Sequence, residues 1–264
     1  MSIIVSVKIN EGIVMAADSA TTFEIGQIYE HTNKLVNLVK GLPIGIMTCG
    51  AGGIGNASIA TLLKDLRQLS NADSGKWVID PAGYTMQSVA VIVHDFFEER
   101  AKGANFTGHL RLRICGYSKG RAQPEVWEVC LNAGKPAEPS SIQKEDGIGP
   151  LWDGEYEAMD RLILGVGNVS DQVLAEHGMS RDHFEQTRSK FIEKAYENLI
   201  IPAAPIQDAI DLARFMVETT KGFTRFAVTR KKTVGGLSEI AAITKHEGFR
   251  WVQRKLFYPR ELNP

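Results

Sequence analysis

The sequence predicts an α+β fold in which helices cover an antiparallel core. Three observations predict it: two apolar hairpin patterns fill the first 50 residues, helical patterns follow in blocks, and no regular strand–helix–strand alternation appears. The material for a large core is present. Of 264 residues 44% are apolar and 23% charged, with only 10 prolines, which excludes a disordered chain. At about 100 to 200 residues per domain the length permits one large domain or two small ones. No shift of composition marks a boundary, so a single domain over residues 1–264 is expected.

Ile3, Val5, Val7 and Ile9 alternate with Ser2, Ile4, Ser6 and Lys8, the period of a strand. Asn10-Glu11-Gly12 supplies turn chemistry, with Gly12 expected at positive φ, and Ile13 to Ala17 returns as a second strand ending at Asp18. After a polar interval from Ser19 to Asn33, Lys34 to Val39 and Ile44 to Cys49 flank Gly41-Leu42-Pro43 as a second hairpin. These four strands are expected to build one antiparallel sheet. Past the cluster Gly50-Ala51-Gly52-Gly53-Ile54-Gly55, the residues Ile59, Leu62, Leu63, Leu66 and Leu69 recur at helical spacing over 56–69. Met86, Val89, Ala90, Val93, Phe96 and Phe97 give a second helix over 85–101.

Arg111 to Tyr117 and Glu125 to Leu131 read as strands around the polar loop Ser118-Lys119-Gly120-Arg121. Pro136, Pro139 and Pro150 mark residues 133–156 as an exposed excursion. Helical patterns near 169–177, 181–199 and 205–221 follow, the last opened by Pro205, a favoured first-turn residue. Leu237 to Thr244 and Arg250 to Val252 close the chain as strands.

Charge and composition exclude several functions. With 30 basic and 31 acidic residues the net charge is −1, which argues against a general nucleic-acid binder. Uninterrupted apolar stretches reach about five residues, as in Val89 to Val93, far short of the ~20 that span a bilayer, so no membrane association is expected. The start lacks a basic region ahead of an apolar run, unlike a secretory signal. Cys49, Cys115 and Cys130 are odd in number and suit a reducing compartment, so buried thiols and a cytoplasmic location are expected. The six histidines show no metal-ligand spacing, and neither metal nor cofactor is expected.

The chemistry concentrates at the start of the chain. A small residue after Met1 permits removal of the initiator, leaving Ser2 with a hydroxyl beside its own α-amine. An α-amine titrates near ~7.7 to 8.0, so it serves as the base that a serine hydroxyl needs. A nearby cation would lower that value further. Lys34 is the candidate cation, with Asp18 at the end of the second strand to hold it. Alone, Asp18 would cap a turn and Lys34 would end a strand.

With Asp18 and Lys34 sixteen and thirty-two positions after Ser2, and with Gly12, Ala16-Ala17-Asp18-Ser19, Asn33-Lys34 and Cys49-Gly50-Ala51-Gly52 around them, the sequence resembles the proteasome β-subunit type of N-terminal nucleophile hydrolase, bacterial relatives included. The first 55 residues are close to the pattern; weaker echoes, Gly165-Val166-Gly167 and Val234-Gly235-Gly236 among them, span most of the rest. The resemblance implies a four-layer αββα sandwich of two antiparallel sheets flanked by helices. It implies Ser2 as nucleophile, its α-amine as proton acceptor, Lys34 as tuner and relay, Asp18 as its orienter, and the Gly52 N–H as oxyanion donor. It further implies peptide or protein substrates, a homo-oligomeric ring and an ATPase partner. Serine replaces the family's usual threonine, and Val166, Lys231 and Val234 stand where the family places hydrogen-bonding residues; Asn168, Ser170, Asp171 and Thr233 are the local substitutes.

Two other readings compete. A non-catalytic ring or scaffold subunit would keep the fold without the chemistry. Gly50-x-Gly52-x-x-Gly55 after a strand and before a helix matches a dinucleotide-binding fingerprint, and so a nucleotide-dependent oxidoreductase, although its acidic partner, Asp80, lies 30 residues past Gly50 rather than about 20.

Overall fold

A computed structural model of the chain describes residues 2–22, 27–132, 137–167, 176, 180–229 and 232–255. Two five-stranded antiparallel sheets stack face to face. One contains β1 (Ile3–Lys8), β2 (Gly12–Ala17), β12 (Gly149–Gly154), β13 (Glu239–Thr244) and β14 (Gly248–Gln253) in the order β12-β1-β2-β13-β14. The other contains β5 (Leu35–Asn37), β6 (Ile44–Gly50), β9 (His109–Gly116), β10 (Glu125–Asn132) and β11 (Ala137–Gln143) in the order β11-β10-β9-β6-β5. Short ribbons, β3 (Thr21–Thr22) with β4 (Ile28–Tyr29) and β7 (Gly53–Ile54) with β8 (Ala57–Ser58), lie outside the two sheets.

The alternation in β1 sorts its side chains between two cores. Ile4 joins Ile13, Met15, Leu35, Met47, Cys49 and Cys115 between the sheets, while Ile3, Val5 and Val7 face Ala209, Ala213, Met216 and Val217 of the helix Ile206–Phe226. The second sheet buries Ile44, Ile46, Leu110, Leu112 and Ile114 under α1 (Ile59–Ser70) and α2 (Met86–Gly103). The result is the αββα sandwich. Both outer helices on the second sheet start at side-chain caps: Ser58 accepts the Thr61 N–H at 3.1 Å, and Thr85 and Ser88 form a capping box. On the other face α3 (Glu157–Met159) runs into a π-helical turn (Asp160–Leu164), followed by α4 (Arg181–Ala195) and α5 (Ile206–Phe226).

Several expectations are corrected. The two early hairpins do not share a sheet: β1–β2 and β5–β6 go to opposite layers, because β1, β2 and β6 are buried on both faces and alternation cannot assign a layer. Gly12 is not in a left-handed conformation. It is needed because β13 passes so close that a Cβ there would meet the Ile243 carbonyl oxygen at 2.5 Å. Within the excursion 133–156, residues 137–154 form the edge strands β11 and β12, one for each sheet. The glycine motif at 50–55 leads from a strand whose neighbours are both antiparallel, which contradicts a dinucleotide-binding βαβ unit. Cys49 and Cys115 are buried, but Cys130 is half-buried. Met1, Asn168, Ser170, Asp171, Arg230, Lys231, Phe257, Tyr258 and most of the pattern at 169–177 lie outside the described residues.

Lys8 makes the sheet edge sensitive to pH. Fully buried, its ammonium donates to the carbonyls of Lys144 and Glu145 at 2.6 and 2.8 Å, fastening the β11–β12 turn to β1. Burial lowers its pKa to about 8, against the opposing pull of Asp146, Glu145 and Glu125. Because the folded value lies below that of the unfolded chain, the unfolded state binds more protons between them, and this residue's contribution makes the fold more stable as pH rises from about 8 towards 10.5. In Lys8→Met this contribution should vanish, read as the difference between the urea-unfolding free energies of the two proteins at pH 7.5, 9 and 10; a constant difference would exclude it.

Candidate active site

The candidate residues gather at the end of the first sheet where β1 begins and β2 ends. Ser2, 5% exposed, precedes β1, and its carbonyl accepts the Glu155 N–H at 2.7 Å. The next amide, Ile3 N–H, donates to Asp18 Oδ1 at 3.0 Å across the β1–β2 pair. Asp18 is fully buried and completely used: Oδ1 also accepts Lys34 Nζ at 2.6 Å, while Oδ2 accepts the N–H groups of Ala20 and Gly235 at 3.0 and 3.1 Å.

Lys34 stands at the entry to β5 and is 3% exposed. Its ammonium donates to Asp18 and to the Ala20 carbonyl. Burial lowers its pKa from the ordinary lysine value, and Asp18 opposes that shift through charge and hydrogen bonding. Beneath it, Cys49 is pushed up to about 12 by burial, so it is a neutral thiol at physiological pH rather than a rival nucleophile.

Gly52 lies at the exit of β6, where its carbonyl accepts the Ile59 N–H at 3.0 Å and helps orient that peptide. A Cβ at this position would meet the Thr21 methyl at 3.0 Å, so a side chain there would crowd the ribbon that follows Ala20. Asp18 and Lys34 are thus in direct contact and tied to the Ile3 amide next to Ser2, and Gly52 lies against Thr21 of β3.

Other residues of the site were not singled out by the spacing argument. Glu155, buried, follows the edge strand β12, and its Oε2 accepts the Thr233 hydroxyl at 3.3 Å. Thr233, one of the local substitutes, therefore bonds a carboxylate adjacent to Ser2, whereas Val234 is 1% exposed and packs in the core. Glu155 follows a segment of prolines and glycines where no strand period shows; Thr233 and Gly235-Gly236 are the late signals in the sequence. A cleft of about 700 Å³ opens at the edge formed by β11 and β12 over Arg111, Arg113, Glu128 and Asp153, and none of Ser2, Asp18, Lys34 or Gly52 lines it. Among the described residues no cluster of three or more His, Cys, Asp or Glu side chains is placed to hold a metal ion, and no helix is long and apolar enough to cross a membrane.

Two stacked antiparallel sheets between helical layers define a four-layer αββα fold of the proteasome-like kind. Among solved structures, the chain is similar to Anbu from Hyphomicrobium sp. strain MC1 (15% identity, TM-score 0.55, covering 98% of this chain and 91% of that one). It is similar also to Anbu, described as an ancestral beta-subunit, from Yersinia bercovieri (13%, TM-score 0.56, 95% and 86%). A third is the helical assembly of the Anbu complex from Pseudomonas aeruginosa (15%, TM-score 0.54, 97% and 88%). No family model and no curated protein matches the chain. The assignment to the bacterial proteasome β-subunit family is therefore corrected: what is shared is the proteasome-like fold, with Anbu chains at 13 to 15% identity, and identity that low carries the fold alone.

Proposed function

We propose that the chain is an N-terminal serine amidohydrolase that cleaves peptide amides through an acyl-enzyme on Ser2. One observation carries the reading: a single carboxylate oxygen of Asp18 accepts both the Ile3 N–H and Lys34 Nζ, which anchors an ammonium one residue from Ser2. Once Met1 is removed, Ser2 Oγ adds to the substrate carbonyl while its proton passes to the α-amine. The carbonyl electron pair moves to oxygen, where the Gly52 N–H donates to it. Collapse breaks the C–N bond and the departing amine takes the proton; water then repeats the sequence on the ester. Lys34 lowers the proton affinity of the α-amine and relays the proton, Asp18 holds Lys34, and Glu155 with Thr233 steadies Ser2 from the β12 side.

The same reading makes the chain a single-domain subunit of a homo-oligomer in the cytoplasm, with peptides as substrates and an ATPase as a feeding partner. Leu162, Phe191, Tyr196, Ile201 and Phe215 are exposed apolar side chains on one helical layer, which supports self-association. A second reading, a non-catalytic subunit of such an assembly, is favoured by buried Val234, which offers no hydrogen bond on the segment next to Asp18.

Intact-protein mass with a peptidyl epoxyketone separates the two, because this trap needs a terminal hydroxyl and its adjacent α-amine. The first reading expects loss of Met1 and a single adduct, none in Ser2→Ala, and adduct formation slowed by about 10² to 10⁴ in Lys34→Ala. Processed protein that takes no adduct would transfer the assignment to the second reading.

A further inference from the structure

Behind the Asp18–Lys34 pair the fold buries a second lysine and carboxylate. Lys255 follows β14 and Glu239 begins β13; Nζ and Oε2 lie 3.5 Å apart, with the side chains 3% and 1% exposed. Lys255 Nζ donates to Ser19 Oγ at 2.9 Å and to the Thr32 carbonyl at 2.6 Å, and the Ser19 hydroxyl donates onward to the Leu237 carbonyl. The Thr32 N–H returns to the Ser19 carbonyl at 3.0 Å, and the Ser19 N–H donates to the Gly235 carbonyl at 2.9 Å. Ser19 adjoins Asp18, Thr32 lies two residues before Lys34, and Gly235 donates to Asp18. One ammonium therefore ties together the segments that carry the whole Asp18–Lys34 arrangement.

Burying two more charges carries a desolvation penalty before their attraction is counted, and an apolar pair of similar volume would pack as well. Their position gives them an effect an apolar pair lacks. Lys255 feels the charges of both Lys34 and Asp18, and Lys34 feels that of Glu239. The groups facing Lys255 are Glu239 from β13, Asp18 from the end of β2 and Lys34 from the start of β5; Arg254 beside it acts on Glu239. We propose that Lys255 and Glu239 form a second ion pair that positions Lys34 and tunes when it holds its proton. The two act with opposite sign: the Glu239 carboxylate favours the Lys34 ammonium, and the Lys255 ammonium opposes it. Both are positioning residues. Their catalytic consequence rests on the reading of Ser2 as nucleophile; the charge coupling does not.

The test is a pH titration of the Lys34 side chain by NMR in the full-length protein carrying labelled lysine, alongside the pH dependence of the rate of epoxyketone adduct formation. Glu239→Gln should lower the Lys34 midpoint by about one pH unit, and adding Lys255→Met should restore it. A purely structural role would leave the double variant no closer to wild type than the single. A midpoint unmoved by Glu239→Gln, or not restored in the double variant, overturns the proposal. Should Glu239→Gln fail to fold, Lys255→Met alone should raise the midpoint, and an unchanged value overturns it equally. Wild-type protein that takes no adduct sinks the Ser2 reading while the titration still decides the coupling; if the adduct forms, the pH profile of its rate should shift with the midpoint.

Discussion

Asp18→Ala is expected to destabilise the fold by about 3 to 5 kcal/mol, the range for removing one partner of a buried ion pair. The side chain is fully buried and accepts four donors: Lys34 Nζ and the backbone N–H groups of Ile3, Ala20 and Gly235. Truncation strips the acceptor from all four, leaving an ammonium that is 3% exposed beside three amides at the meeting point of β1, β2 and the approach to β13. Asp18→Asn keeps one acceptor oxygen and should lose less. Asp18→Asn combined with Lys34→Met should recover part of the loss of the single Asn variant, because no unpaired charge is left in the interior. Urea unfolding at pH 7 measures all three; a loss below about 1 kcal/mol in Asp18→Ala would show that the carboxylate is not the anchor.

Gly154→Ala is expected to slow acylation by about 10²-fold, a loss typical of displacing a reacting group by around 1 Å. Gly154 pairs with Ile3 in the β1–β12 ladder at φ +93°, and an added Cβ would fall 1.8 Å from the Ser2 carbonyl oxygen. The obstacle is backbone, so no rotamer change relieves it. Ser2 must shift, and with it the bond its carbonyl makes to the Glu155 N–H. A control lies in the same strand. Gly149 has φ +110° and nothing within 4 Å of an added Cβ, so Gly149→Ala carries a comparable conformational cost of roughly 1–2 kcal/mol without touching Ser2. Equal slowing in the two variants would show that backbone strain, not displacement of Ser2, is responsible.

The stripe Ile59, Leu62, Leu63, Leu66 in α1 and the alternation of β1 were legible because local periodicity records one buried face of a helix and two buried faces of a strand. Lys34 reaches Asp18 from the other sheet, but the approach of Asp18 to Ile3 was legible because the β1–β2 hairpin is a local pairing, with Ile4 opposite Ala17, that fixes where residue 18 falls relative to residue 3. Strand β12 was not. Its prolines and glycines hide any period, and it is held by long-range pairing to β1.

The sequence by itself determined the elements and the antiparallel pairing of the first hairpin, which brings Asp18 to the start of β1. Only the tertiary structure decided which layer each hairpin joins. It also recruited Glu155 with Thr233 across 78 residues, Gly235 to Asp18 across 217 and Lys255 to Ser19 across 236. The reason is physical: periodicity reports the burial of a segment's faces but is silent on which distant backbone or charge meets them, and in this fold the strands that close the site come from opposite ends of the chain.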